Sequence, residues 1–176
     1  MFKKLILLVT GVMMCMTLAG CAGEVYEKSY LQTFYVSGGI NGEITANMRF
    51  YDDTPDIIES GRSLGEIIRK AEMRCGKAVV TGHTEIIVLN GCDIRETLVF
   101  MLRERKVPPS CYAVIGDGDI ENFGNVSKYQ IIEHAIEKDE IPECGLITVL
   151  SSLLNKGMAE TVRFDEEGFG RCTIKD

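Results

Sequence analysis

The chain is 176 residues long, 45% apolar and formally −7 at neutral pH, with 26 acidic against 19 basic residues. That length favours one domain with at most a small appendage, and the apolar share suffices for an ordinary core rather than a disordered chain. An acidic balance with no Lys/Arg cluster interleaved with aromatics disfavours a nucleic-acid partner, because neutralising phosphates takes clustered cations.

Lys3 and Lys4 precede an apolar run from Leu5 to Leu18. The run is shorter than the roughly 20 residues a membrane-spanning helix needs, and it fits the charged and apolar regions of a secretory signal. It ends Leu18-Ala19-Gly20-Cys21, a bacterial lipobox pattern in which the Cys21 thiol receives a diacylglycerol and the chain is cleaved in front of it. Residues 1–20 are therefore expected to be a lipoprotein signal peptide, 21–28 a tether and 29–176 a single domain. Processing takes 20 residues and two lysines away, leaving 156 residues with a charge of −9. Such an acidic body gains nothing from anionic headgroups, so its partner there is the bilayer interior, reached through diacylglyceryl-Cys21 at about 0.8 kcal/mol per buried CH₂.

Past the tether, Tyr30 to Ser37 and Glu43 to Tyr51 read as a β-hairpin around Gly38-Gly39-Ile40-Asn41-Gly42, whose glycines supply the positive φ of a tight turn. In the second arm Ile44, Ala46, Met48 and Phe50 share one face, and Thr45, Asn47, Arg49 and Tyr51 the other. Asp52-Asp53-Thr54-Pro55 breaks the strand, and a loop is expected as far as Gly61. Ser63 with Glu66 forms a capping box ahead of a stripe of Leu64, Ile67, Ile68 and Ala71, and Arg74 and Gly76 close that helix. Lys77 to Leu89 holds strand material, best defined from Thr84 to Leu89. Asn90-Gly91 turns the chain and Asp93 with Glu96 opens a second helix. Ile94, Thr97, Leu98, Met101 and Leu102 form its buried side, while Arg95, Arg103, Glu104 and Arg105 face water. After Pro108-Pro109, Cys111 to Ile115 forms another buried strand, which completes a parallel βαβ unit. Ser127 and Gln130 start a helix to about Lys138 that buries Ile131, Ile132, Ala135 and Ile136. A fourth helix runs from Ile147 to Asn155, and Thr161 to Phe164 with Phe169 to Ile174 close the chain as a hairpin. The fold expected is α/β with a mixed sheet: hairpin, α-β-α-β unit, two further helices, terminal hairpin.

Candidate chemistry is sparse. His83 has only Glu85 nearby in sequence as a partner for acid–base work, and a hydrogen-bonded structural His is the expectation; His134 is expected to be exposed on its helix. Asp117-Gly118-Asp119-Ile120-Glu121 opens like a calcium loop, but Asn122 stands where the sixth-position Gly belongs and Lys128 where the bidentate acid belongs. The helix start at Ser63 offers weak anion binding. No phosphate loop, nucleophile elbow or HExxH occurs, so no catalytic residue, metal site or cofactor is expected. Cys75, Cys92, Cys111, Cys144 and Cys172 remain after Cys15 leaves with the signal and Cys21 is lipidated. Five thiols cannot all pair within one chain, their spacing suits no zinc site, and an exported protein leaves one or two disulfides open.

Gly61-Arg62-Ser63-Leu64-Gly65-Glu66-Ile67-Ile68-Arg69-Lys70, Gly82-His83-Thr84-Glu85-Ile86-Ile87-Val88-Leu89, Phe100-Met101-Leu102-Arg103-Glu104 and Tyr112-Ala113-Val114-Ile115-Gly116, downstream of a lipid-bearing Cys21, together resemble the N-terminal domain of the Ger(x)C lipoproteins. These are C subunits of bacterial spore-germination nutrient receptors. Gly170 to Asp176 also resembles a strand that follows the first domain in longer members. Where members carry Trp-Asp after the lipidated Cys, this chain has Ala22-Gly23. The resemblance implies a non-enzymatic lipoprotein on the extracytoplasmic face of the cell or inner spore membrane, docked on integral-membrane germinant-receptor subunits. A solute- or envelope-binding lipoprotein is the alternative, and an exported hydrolase, with His83 essential, a third.

Overall fold

The computed structural model describes residues 28–38, 42–117, 128–165 and 168–175. Cys21, the tether up to residue 27, Gly39 to Asn41, most of the acidic turn after Asp117, and Ser127 lie outside the described residues.

Eight strands form one mixed sheet. In chain order the elements are β1 (Lys28–Gly38), β2 (Ile44–Phe50), β3 (Ile57–Gly61), α1 (Leu64–Cys75), β4 (Ala78–Val80), β5 (Ile86–Asn90), α2 (Ile94–Arg103), β6 (Tyr112–Gly116), α3 (Lys128–Glu137), α4 (Leu146–Lys156), β7 (Met158–Asp165) and β8 (Gly168–Lys175). The spatial order is β3-β2-β1-β5-β6-β7-β8, with the short β4 beside the start of β1. β1, β5, β6 and β7 are mutually parallel, while β2, β3 and β8 are attached antiparallel at the two margins.

The centre of this sheet is covered on both faces, as continuous apolar runs require. Ile86 through Leu89 are all buried, as are Ala113 through Gly116, and Phe34, Tyr35 and Val36 are buried in succession on β1. β2, one strand in from the margin, alternates instead: Ala46, Met48 and Phe50 are buried, interleaved with the half-buried Thr45, Asn47 and Arg49. Along β1 the inward phase changes, from Ser29 and Leu31 to Phe34 and Val36, because the pairing with β2 slips between Leu31 and Thr33. One extra residue on β1 at this bulge moves the following side chains to the opposite face.

Two of the predicted helix starts, at Ser63 and Asp93, are present. Ser63 Oγ accepts from the Glu66 N–H at 3.2 Å, and Asp93 Oδ1 from the Glu96 N–H at 2.8 Å. Glu66 reaches back one residue further than the simple capping box, accepting from the Arg62 N–H at 3.1 Å. Leu64, Ile67, Ile68 and Ala71 form the buried stripe of α1, and Gly76 ends it at φ 68°, with its N–H donated to the Glu72 carbonyl. That left-handed turn is open to glycine at no steric cost.

Three expectations are corrected. The stretch before Gly61 is not all loop: Ile57–Gly61 pairs with β2 as an edge strand, and only Ile57 of its two isoleucines is buried. From α1, Lys70 Nζ donates to the Ser60 carbonyl at 2.7 Å and Arg74 Nη1 to the Ile58 carbonyl at 3.3 Å, tying this strand to the helix. Arg105 does not point freely into water but lies half-buried, donating to the Val79 carbonyl at 3.1 Å and meeting Glu72 at 3.5 Å. Ile131 is exposed on α3, where Ile132 and Ala135 are buried. The closing hairpin is also longer than its sequence cores, with β7 beginning at Met158 against Lys175. Among the described residues, no helix is long and apolar enough to cross a membrane.

Candidate functional site

The parallel strands give the sheet two poles. Gly38, Asn90 and Gly116 end their strands at one; Lys28, Ile86 and Tyr112 begin theirs at the other. In open α/β sheets the carboxyl ends of the strands are the usual place for a ligand, and there α1 and α2 both begin. A cleft of about 510 Å³ lies between them, with Gly38 and Gly91 in its wall and Arg62, Ser63, Asp93 and Phe100 around it. The cleft carries more acid than base, since Glu43, Asp93 and Glu96 line it and Arg62 is its cation. Nor does the start of α1 offer itself to an anion, as the sequence suggests. Glu66 already occupies that end, held by Lys70 at 2.8 Å and by the Arg62 N–H. These hydrogen bonds, that of Lys70 first, lower the Glu66 carboxyl below its ordinary range.

At the opposite pole sits His83. It is exposed, and its ring meets Tyr30 edge-on at 5.4 Å between centroids. Tyr51, itself 48% exposed, donates its hydroxyl to the His83 carbonyl at 3.2 Å, and its N–H goes to the Tyr30 carbonyl at 2.9 Å. Tyr30, Tyr51, Asp52 and His83 surround a shallow hollow of about 500 Å³. Beneath it, Asp52 binds Lys77 at 3.3 Å and accepts the Thr54 N–H at 3.2 Å. Partial burial works against the Asp52 charge, but the Thr54 and Lys77 contacts outweigh it and hold the carboxyl below its ordinary range. Glu85, the acid–base partner offered by sequence, instead accepts from Gln32 Nε2 at 3.1 Å. His83 is thus set against an aromatic ring rather than drawn into a catalytic pair.

His134 is exposed beside Glu137 at 3.8 Å. Asp117, the one described member of the acidic turn, pairs with Arg163 at 3.2 Å. Among the described residues, no group of three or more His, Cys, Asp or Glu side chains is arranged to hold a metal ion. Cys75, Cys92, Cys111, Cys144 and Cys172 are all free thiols. Burial pushes the Cys111 thiol far up and that of Cys144 up to about 12, so neither supplies a thiolate near neutral pH. The poles themselves are not visible in any short motif, because each gathers residues from distant strands and helix ends.

Compared with known protein families, the chain matches the one described as the spore germination protein N-terminal domain, over residues 27–162. No curated protein and no solved structure matches it.

Proposed function

The chain belongs to the spore germination protein N-terminal domain family, and from that membership we propose that it is a lipid-anchored, non-enzymatic docking component of a germinant receptor, resembling the receptor's C subunit. The observation that carries the reading is the placement of the family match, which opens at residue 27, six residues after the lipobox Cys21. A lipid-bearing cysteine directly ahead of a family domain is the arrangement expected of a domain held at a membrane surface. Buried thiols and a ring-packed His83 agree with a role in assembly rather than catalysis.

The test has two arms. Cys21→Ala releases the protein from membranes while leaving its fold intact; retention in the membrane fraction would overturn the anchor. The intact protein, pulled down from spore membranes, brings integral-membrane receptor subunits with it, and its deletion delays germination. Absence of both effects would overturn the receptor role.

The cleft at the carboxyl pole favours one second reading, a solute-binding lipoprotein, because a concavity of about 510 Å³ is of small-molecule size. A small solute that raises the melting temperature of the wild-type protein, and not of Phe100→Ala, would favour it.

A further inference from the structure

We propose that the pole at which β1 begins lies against the lipid bilayer, with the rings of Tyr30, Tyr51 and His83 seated among the headgroups. The inference rests on the anchor at Cys21 put forward above and adds an orientation to it.

Reach points to this pole. Seven Cα–Cα steps separate Cys21 from Lys28, which span at most about 25 Å when fully extended. Lys28 begins β1, and Tyr30, with Tyr51 hydrogen-bonded to it and His83 edge-on against it, is two residues further on. The far end of this 11-residue strand stands roughly 35 Å away along its axis. Of the two poles, the anchor therefore holds the aromatic one next to the membrane.

The chemistry of the patch points the same way. Tyrosine and histidine rings combine an apolar body with a polar tip, which is the combination that partitions to the membrane–water boundary. Tyr51 and His83 present such rings to solvent at this pole. In a chain that is acidic overall, charge separates the poles in the same sense. Here Lys77 engages Asp52 and Arg105 engages Glu72, so each of these acids is matched by a cation. At the opposite pole Glu43, Asp93 and Glu96 outnumber Arg62, and an anionic leaflet repels that excess.

The chain contains no tryptophan, so one introduced Trp reports on one place. Full-length lipidated Tyr51→Trp and Phe169→Trp proteins, the latter labelling the opposite pole, are placed on phosphatidylglycerol–phosphatidylethanolamine vesicles carrying lipids brominated close to the headgroup. The expected result is strong quenching and a blue shift for the Trp at 51, with the Trp at 169 unaffected. His83→Trp, a second reporter on the same pole, reproduces the quenching even if the first variant folds poorly. Protein that floats with the vesicles but shows no quenching at 51 or 83, or equal quenching at 169, overturns the orientation while leaving the anchor standing. Protein that does not float removes the anchor, and the orientation with it.

Discussion

Gly38 and Gly91 meet back to back at the carboxyl pole: a Cβ added to Gly38 would stand 2.1 Å from the Gly91 carbonyl oxygen. The end of β1 and the turn after β5 close on each other only because Gly38 carries no side chain. Backbone, not a flexible side chain, forms the other wall, so the structure cannot yield cheaply. Gly38→Ala is expected to lower stability by about 1–3 kcal/mol, the usual cost of overpacking. Gly82, which has open space around it, supplies the control: its Ala variant should stay within about 0.5 kcal/mol of wild type. Urea denaturation midpoints of the two variants check the contrast, and equal midpoints would refute it.

Each helix cap is a separate handle on its helix. Ser63→Ala and Asp93→Ala remove the acceptors for the Glu66 and Glu96 N–H groups, and each should cost on the order of 1 kcal/mol. The two sites share no partner, so the double variant should lose about the sum of the two single losses. Thermal unfolding followed by circular dichroism decides this, and a neutral Ser63→Ala would show that the Glu66 carboxylate alone secures the start of α1.

Arg105 is half-buried against Val79 and Glu72 rather than set on the solvated face beside α2. Its guanidinium joins the Val79 carbonyl and Glu72, and its buried Nε has no partner. Arg105→Ala is expected to destabilise by about 1–3 kcal/mol, the loss of a charge-assisted hydrogen bond, whereas Arg103→Ala on the exposed side stays within about 0.5 kcal/mol. Equal effects in chemical denaturation would place Arg105 back in the solvent.

The depressed Asp52 carboxyl gives a pH dependence of definite sign. Its pKa is lower folded than unfolded, so its contribution is complete above the ordinary carboxylate range of about 4. That contribution fades as pH falls through the folded value, because the unfolded chain then takes up the proton first. Wild type should therefore lose more stability between about pH 6 and pH 3 than Asp52→Asn does. Parallel acid-titration curves for the two proteins would count against the assignment.

Thiol labelling separates the cysteines by burial. Cys111 and Cys144, 2% and 0% exposed with thiol pKa values pushed far up, should resist an alkylating reagent at mildly alkaline pH until the protein unfolds. The half-buried Cys75 should react in the native state. Mass spectrometry of peptides from native and urea-treated samples reads the difference.

Much of this architecture is legible in the sequence because it is local. Ser63 with Glu66, Asp93 with Glu96, and Gly76 are helix punctuation within one turn of chain, and Ile86 to Leu89 announces a strand buried on both faces. What escapes the sequence depends on distant partners. Ile57–Gly61 is too short to declare itself and becomes a strand only by pairing with β2. The change of phase along β1 comes from a bulge that only its pairing with β2 reveals. Arg105 reads as a surface charge because Val79, its acceptor, lies 26 residues earlier in the chain. His83 is visible as a candidate, yet its neighbour Tyr30 comes from a strand far earlier in the chain, and so the aromatic patch as a whole is invisible in one dimension.

The two cations of α1 that reach β3 also bear on how copies of the protein behave side by side. A sheet margin ordinarily offers a row of hydrogen-bonding groups that recruits the next strand to arrive. On β3 the Ser60 and Ile58 carbonyls already receive Lys70 and Arg74, so an incoming strand would have to displace both ammonium and guanidinium before it could add. Copies of the protein are thereby hindered from adding strand to strand along this margin.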